Sequence, residues 1–174
     1  KDAVSLHLAD PRGAPIAFAP GQFLTLLVTL PDGRALKRAY SLSTVPGPEG
    51  VAPTARITIK RVGRGKVSGY LTEGAREGDT LTVLGPSGSF GISRAEAADK
   101  HLLLIGGGSG ITPLRSIVEA SLAEPSVVVT LLYGNRALGD VIFQDELDSL
   151  SRAHAGRLVV RYVLELPPDG WTGG

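Results

Sequence analysis

Three apolar runs alternate with two amphipathic segments in the second half of the chain, and this order restricts the fold more than any other feature. The runs are His101–Ile105, Val127–Tyr133 and Leu158–Leu164, and the segments of helical spacing are Thr112–Ala123 and Ile142–Leu150. A continuous apolar run such as Val127–Tyr133 is typical of a parallel strand that is buried on both faces. The pattern predicts β-α-β-α-β, the core of a doubly wound parallel sheet. Sheets of this kind usually have five or six strands, so we expect this one to be C-terminally incomplete.

The first half has a different pattern, in which short strands of alternating polarity are separated by Gly and Pro turns. The predicted strands are Val4–Leu8, Phe23–Leu30, Ala39–Ser43, Ala55–Val62 and Thr80–Leu84, and Val67–Glu73 is a predicted short helix. In the fourth strand, Ile57 and Ile59 are expected to face inward and Thr58 outward. This spacing indicates a small barrel or sandwich. We therefore expect two domains, residues 1–98 and 99–174.

Composition excludes several classes of protein. The chain has 174 residues, 43% of them hydrophobic, which is enough to bury a core. Its net charge is +1 and its aromatic residues are few, so we expect no nucleic-acid partner. It has no Cys, which excludes disulfides and Cys-ligated zinc or iron–sulfur clusters within these residues. Its three His have no ligand spacing, so we expect no metal site.

The N-terminus bears on processing and location. The chain has no Met, not even at position 1, and we therefore expect it to be a piece of a longer protein. Residues 1–10 contain no apolar signal segment, and the longest apolar runs are too short to span a bilayer. We expect a cytoplasmic protein without a membrane partner.

The strongest local signal is Ile105–Pro113, where a strand runs through a Gly-rich turn into a helix. Thr112 is a suitable N-cap, and Pro113 suits the first helical turn. Glycines let backbone N–H groups approach an anion, and the helix N-terminus adds a favourable dipole, so the segment suits a diphosphate. Because position 111 is Ile, the turn does not match G-x-G-x-x-G, and a turn that merely closes a strand onto a helix is the alternative.

Three weaker signals suit the same chemistry. In Arg38–Ser43, Arg can pair with a phosphate, Tyr can stack on a planar ring and Ser can hydrogen-bond a heteroatom. In Ile59–Ser68, Gly65 opens a helix whose first N–H groups, with Lys66, could hold a second phosphate. Tyr133–Arg136 ends a parallel strand with an Arg and no acidic residue, which favours NADP over NAD. Taken singly, the first is better explained as an edge strand and the second as a solvated basic loop, and the third is also compatible with a turn.

The order of these motifs along the chain carries a resemblance. It runs Arg38-x-Tyr40-Ser41, Lys60-Arg61, Gly65-x-x-Ser68, Gly85-Pro86-x-Gly88-x-Phe90, Gly107–Pro113, and Tyr133–Arg136 with Ile142-Phe143-x-x-Glu146-Leu147. In this order the chain resembles the ferredoxin–NADP reductase superfamily over essentially its whole length. Within that superfamily it is most similar to the reductase components of the phenylacetate-degradation and ketosteroid-hydroxylase type.

The resemblance implies that the first domain is a six-stranded antiparallel barrel that binds FAD. Arg38 would pair with the flavin diphosphate, Tyr40 would pack on the isoalloxazine or ribityl region, and Ser41 would lie near the reactive ring nitrogen. The residues that would line the flavin are Ile59, Lys60 and Arg61. Those that would hold its diphosphate at a helix start are Gly65, Lys66, Val67 and Ser68.

In the second domain the resemblance implies a site for NADPH or NADH. The turn residues that would receive the nucleotide are Gly107, Gly108, Ser109, Gly110, Thr112 and Pro113. Thr112 would lie close to where the nicotinamide and flavin rings meet, which makes it, with Ser41, a candidate catalytic residue. Asn135 and Arg136 would contact the adenosine end.

The implied function is electron transfer from NAD(P)H through FAD to an iron–sulfur acceptor. That acceptor would be a 2Fe-2S cluster in a domain absent from this chain or in a separate protein, such as an oxygenase component, and the chain itself would be a monomer. Two alternatives remain open: a flavin-binding module without turnover, and a regulatory domain that binds a nucleotide but no flavin.

Overall fold

The computed structural model describes residues 2–173, which divide into two compact units. The first unit is Asp2–Phe90, and the second begins at Gly91, earlier than the predicted domain boundary at residue 98. The intervening residues pack with the second unit: Arg94 pairs with Glu124 at 2.9 Å, and the Asp99 N–H donates to Ser126 Oγ at 2.9 Å.

The first unit contains seven strands and one helix. They are β1 Ala3–Leu8, β2 Ile16–Ala17, β3 Phe23–Thr29, β4 Ala35–Ser41, β5 Val51–Ala52, β6 Ala55–Lys60, α1 Lys66–Gly74 and β7 Thr82–Ser87. All strand pairs are antiparallel: β1 with β6, β2 with β5, and β3 with both β4 and β7. An isolated bridge between Leu42 and Ile57 joins the segment after β4 to β6. The resemblance implied six strands. The alternation of polar and apolar residues did not predict β2 or β5, because strands of two residues are too short to show it.

Alternating side chains build the core of the first unit. Leu24, Leu26 and Val28 of β3 are at most 3% exposed, and Ile57 and Ile59 of β6 are buried beside them. Each such side chain contributes about 1.5–3 kcal/mol by leaving water. The first unit therefore has a hydrophobic core of its own.

Thr58 contradicts the predicted outward orientation, since it is only 5% exposed. Its Oγ1 lies 2.9 Å from Ser5 Oγ and 3.0 Å from Ser43 Oγ, so three hydroxyl groups form a short hydrogen-bonded chain. Both sides of β6 are covered, by β1 and by the segment at Ser43, and the polar side chain is accommodated because its hydrogen bonds are satisfied.

The second unit is the predicted α/β unit. It consists of α2 Arg94–Ala97, β8 His101–Gly107, α3 Ile111–Leu122, β9 Val128–Ala137, α4 Gln144–Ala153 and β10 Leu158–Leu166. The three strands are parallel in the order β10-β9-β8, with one helix in each crossover. This confirms the β-α-β-α-β prediction.

Both long helices of the second unit lie on the same face of the sheet. Val129, Leu131 and Tyr133 of β9 point to that face and are fully buried, whereas Leu103 and Ile105 of β8 point the other way and are 59% and 68% exposed. On that other face the β9 residues Val128, Thr130 and Leu132 are only partly buried, so the prediction that β9 is buried on both faces is wrong for the described residues. The reason is topological, because two right-handed crossovers that step in the same direction put both helices on one side.

No helix among residues 2–173 combines the length and the apolar character needed to cross a membrane.

Candidate functional site

Arg38 and Tyr40 project from the same face of β4, because they are two residues apart on a strand. The guanidinium of Arg38 is exposed and donates to the Lys37 carbonyl oxygen at 2.7 Å. Tyr40 is half-buried and packs against the barrel core. Burial raises the pKa of the Tyr40 hydroxyl, and the charge of Arg38 acts in the opposite direction. Ser41 ends the strand opposite Phe23 and is half-buried.

The predicted flavin-lining residues at the end of β6 point in different directions. Ile59 is 1% exposed in the barrel core, so only its backbone remains for a ligand. Lys60 is half-buried. The Arg61 guanidinium pairs with Glu73 of α1 at 2.7 Å, and both side chains are more than half exposed. The structure thus leaves Lys60 and Arg61 near the surface but not Ile59.

The start of α1 offers unsatisfied backbone donors. Gly65 is the N-cap, and no side chain caps the helix. The first N–H groups, those of Lys66, Val67 and Ser68, point out of the helix end without an intrahelical acceptor. The Ser68 hydroxyl turns back to the loop: it accepts from the Val62 N–H and donates to the Gly65 carbonyl, both at 3.2 Å. The Ser68 hydroxyl therefore stabilises the loop, and the groups that remain for an anion are the backbone N–H groups.

These elements are neighbours within the first unit. The Leu42–Ile57 bridge places the end of β4 beside β6, and α1 follows β6 and packs on it. The exposed cations Arg38 and Lys66, together with an uncapped helix N-terminus, are the donors that a diphosphate prefers. The donor set fits the predicted flavin diphosphate.

In the second unit, the Gly-rich turn is shaped by two glycines. A Cβ at Gly106 would lie 2.6 Å from Leu114 Cδ1, so a larger residue there would displace the Leu114 side chain, which belongs to α3. Gly108 has φ +51°, a left-handed conformation that favours glycine, and it opens a 3-10 turn over Gly108–Gly110. α3 then begins at Ile111.

Thr112 is not the N-cap, contrary to the prediction. Gly110 occupies that position, because the 3-10 turn moves the helix start to an earlier residue. Thr112 is 6% exposed, and its Oγ1 donates to the Ser109 carbonyl at 3.0 Å. Its hydroxyl proton is engaged within the turn, which leaves it only as an acceptor. Pro113 lies in the first helical turn, as predicted.

Asn135 and Arg136 belong to β9 itself, not to a turn beyond it, since the strand extends to Ala137. Gly107 of β8 pairs with Gly134 of β9, so both strand ends reach the carboxyl edge of the sheet together. Arg136 is exposed. Both amide atoms of Asn135 are buried and have no hydrogen-bond partner among the described residues. An unsatisfied buried group costs about 1–3 kcal/mol, so this amide fits a ligand that supplies the missing partners.

Tyr133 has a contact that the sequence did not reveal. Its hydroxyl donates to the Gly108 carbonyl at 2.9 Å and accepts from the Ile142 N–H at 3.2 Å. The one available signal was the position of a Tyr at the end of an otherwise aliphatic buried run, because a buried Tyr hydroxyl usually has a partner. The partner itself lies 25 residues away in sequence.

No group of three or more His, Asp or Glu side chains within residues 2–173 is arranged to hold a metal ion.

Two family models together match most of the chain. The model described as "Oxidoreductase FAD-binding domain" matches residues 2–92, and that described as "Oxidoreductase NAD-binding domain" matches residues 104–174. The first match corresponds to the barrel unit and the second to the parallel sheet. Each candidate site lies inside one of the two matched regions.

Similar proteins include components of oxygenase systems. The chain is 38% identical to the ferredoxin reductase component of 3-ketosteroid-9-alpha-monooxygenase from Mycolicibacterium smegmatis, over 94% of the chain and 46% of that protein. It is 37% identical to a 1,2-phenylacetyl-CoA epoxidase component from Escherichia coli, over 91% of the chain and 44% of that protein. The crystal structure of an Amycolatopsis cytochrome P450 reductase superposes with a TM-score of 0.82 at 31% identity, over 97% of the chain and 49% of that structure. The chain thus spans about half the length of the proteins that it matches.

Proposed function

The chain belongs to the ferredoxin–NADP reductase superfamily, with its FAD-binding barrel and its NAD-binding domain, and from this premise we propose that it passes electrons from NADPH or NADH through FAD to an iron–sulfur acceptor. The observation that supports the proposal is that each unit has an arrangement of donors suited to an anion. One is the uncapped start of α1 with Arg38 and Lys66, and the other is the Gly-rich turn before α3 beside Asn135. An enzyme that moves electrons between two dinucleotides needs two diphosphate sites.

The residues of the first unit would bind and orient the flavin. The Arg38 guanidinium would pair bidentately with the diphosphate, and the N–H groups of Lys66, Val67 and Ser68 would donate to it. Tyr40 would cover part of the flavin with its ring, and Ser41 would place a hydroxyl near the reactive edge. FAD, when bound, supplies the chemistry of accepting two electrons and releasing them singly.

The residues of the second unit would bind the nicotinamide nucleotide. The N–H groups of the turn from Gly107 to Gly110 would receive its diphosphate, and Asn135 would hydrogen-bond its adenosine end. Thr112 would act as a hydrogen-bond acceptor close to the nicotinamide, since its own proton is held by Ser109. Arg136 is exposed at the end of β9, which favours a 2′-phosphate and hence NADPH.

The relatives include the ferredoxin reductase component of a monooxygenase, which supports an oxygenase system as the destination of the electrons. The acceptor would be a 2Fe-2S cluster, either in another domain of the same protein or in a separate component. We also propose that the protein is cytoplasmic and monomeric.

Flavin binding tests the first half of the proposal. The purified chain should bind FAD and turn yellow, and Arg38→Ala should raise the FAD dissociation constant by about tenfold or more, because a charged hydrogen bond is lost. Arg12→Ala is the matched control, since Arg12 is an exposed cation of the same unit that pairs with Asp10 at 3.0 Å. Fluorescence titration of FAD measures the dissociation constants of both variants. Equal affinities of the two variants would contradict the site, and a chain that binds no FAD would contradict the function.

Anaerobic reduction tests the second half. NADPH or NADH should bleach the flavin absorbance of the loaded chain, and the ratio of the two rates measures coenzyme preference. Arg136→Ala should lower the rate with NADPH at subsaturating concentration and leave that with NADH nearly unchanged. A yellow chain that neither nucleotide reduces would instead identify a flavin-binding module without turnover.

A further inference from the structure

The Tyr133 side chain connects two loops at the carboxyl edge of the parallel sheet. It is fully buried, yet its hydroxyl makes two hydrogen bonds, one to the Gly108 carbonyl and one from the Ile142 N–H. Gly108 begins the Gly-rich turn after β8, and Ile142 lies in the segment that leads from β9 into α4. One phenol group therefore fixes the connections that follow two neighbouring strands.

The hydrogen bond to Gly108 sets the direction of a peptide group. In a planar trans peptide, the carbonyl of one residue and the N–H of the next point in opposite directions. Because Tyr133 holds the Gly108 carbonyl inward, the N–H of Ser109 is directed outward, toward the side where Ser109 and Gly110 are exposed. Gly108 has φ +51° and no side chain, and its carbonyl also accepts from the Ile111 N–H within the 3-10 turn. The bond from Tyr133 is the one that ties this carbonyl to the neighbouring strand β9.

A second observation at the same edge indicates a ligand. Asn135 lies two residues after Tyr133 on the same face of β9, and its buried amide has no partner among residues 2–173. The Asn135 amide lies near the Tyr133 hydroxyl without reaching hydrogen-bond geometry. The hydroxyl is already engaged by Gly108 and Ile142, so the amide remains available to a bound molecule.

We propose that Tyr133 is a positioning residue for the nicotinamide nucleotide: its hydroxyl fixes the Gly108 carbonyl and thereby aims the Ser109 N–H at the nucleotide diphosphate. This inference rests on the proposed function, because it concerns the same nucleotide site. Tyr133 does not touch the ligand itself. It acts by keeping the turn in the one orientation that presents its donors, which lowers the cost of ordering the turn on binding.

Tyr133→Phe tests the proposal, because it removes the hydroxyl and keeps the ring. Tyr162→Phe is the matched control: Tyr162 is 8% exposed, its ring lies 6.2 Å from that of Tyr133, and its hydroxyl donates to Asp148 of α4 at 2.7 Å. Both variants lose one buried phenol hydroxyl, but only one loses the contact with the turn. The probe is ADP-ribose, a redox-inert molecule that carries the diphosphate and the adenosine, titrated into the FAD-loaded chain by calorimetry.

We expect Tyr133→Phe to weaken ADP-ribose binding by about fivefold to tenfold and Tyr162→Phe to stay within about twofold of wild type. With NADPH as reductant and ferricyanide as acceptor, the KM of Tyr133→Phe should rise and its kcat should stay unchanged, because the reacting groups are untouched. In the wild-type chain, ADP-ribose should also slow hydrogen exchange of the Ile142 amide, since binding and the hydrogen bonds of Tyr133 favour the same state of the turn.

Several results would overturn the inference. Unchanged ADP-ribose affinity in Tyr133→Phe would show that the turn does not need the hydroxyl, and an equal loss in Tyr162→Phe would show a general effect of destabilisation. If Tyr133→Phe failed to fold, unaltered exchange of the Ile142 amide in the wild-type chain would overturn it instead. A wild-type chain that binds FAD but no ADP-ribose would remove the nucleotide site, and with it the proposed function.

Discussion

Replacement of Gly65 by Ala should disturb the start of α1 more than a single methyl group usually does. A Cβ at Gly65 would collide with Ser68 Oγ and would lie 3.0 Å from the Val62 carbonyl oxygen and 3.1 Å from Val62 Cβ. Ser68 would have to rotate away, and its bonds with the Val62 N–H and the Gly65 carbonyl would be lost. At about 0.5–1.5 kcal/mol for each hydrogen bond, the two together give a loss of about 1–3 kcal/mol.

The matched control is Gly69→Ala in the same helix. No atom lies within 4 Å of a Cβ built at Gly69, so the methyl group meets open space. Because Ala is a better helix former than Gly, this variant should gain about 0.5–1 kcal/mol. The two substitutions add the same atoms four residues apart and should change stability in opposite directions.

Hydrogen exchange of the β6 amides measures the opening free energy of the first unit, and it compares the Gly65→Ala and Gly69→Ala variants directly. A double-mutant cycle identifies the cause: in a Ser68→Ala background, which already lacks the hydroxyl, Gly65→Ala should cost no more than about 1 kcal/mol. The reasoning is wrong if the losses of opening free energy in Gly65→Ala and Ser68→Ala add up in the double variant. It is also wrong if Gly65→Ala is as stable as Gly69→Ala, because the collision would then not constrain this position.

Two further predictions concern the barrel unit. Thr58→Val removes the middle member of three hydrogen-bonded hydroxyls and should lower the free energy of unfolding by about 1–3 kcal/mol. The exposed control Thr54→Val should change it by no more than about 0.5 kcal/mol. Similar values for the two variants in urea unfolding would show that the three hydroxyls do not stabilise the barrel. Hydrogen bonds from Arg34 lower the pKa of the Asp32 carboxyl from 3.8 to about 2. Since the folded pKa is the lower one, the stabilisation is present above about pH 4 and lost as the pH falls toward 2, so NMR titration should give an Asp32 midpoint near 2 that Arg34→Ala moves back toward 3.8. A midpoint that does not move in Arg34→Ala would assign the shift to another group.

The sequence by itself determined the order of elements and the division into two kinds of unit. Alternation in Phe23–Leu30 and helical spacing in Thr112–Ala123 are local patterns, and local patterns decide which face of an element is apolar. The Gly-rich segment after Ile105 likewise marked the strand-to-helix turn, since glycine readily adopts the left-handed conformation that Gly108 has there. The order of the motifs also indicated the family, which the family models confirm.

Only the tertiary structure decided which polar groups of the candidate sites are already engaged. Ser68 and Thr112 are predicted from the sequence to lie at the two ligand sites, but the protons of their hydroxyls are held by the Gly65 and Ser109 carbonyls. The 3-10 turn before α3, which moves the N-cap to Gly110, likewise has no signature in residue types. Hydrogen-bond partners depend on backbone geometry that residue spacing does not encode.

Long-range contacts account for the remaining differences. Thr58 is buried because Ser5 and Ser43 reach it from other segments, and Tyr133 meets Gly108 only once β8 and β9 lie side by side. A sequence pattern specifies what each segment can bury, whereas the packing of segments specifies what each buried polar atom finds. The chain thus predicts where two dinucleotides would bind, and the fold determines which atoms remain to hold them.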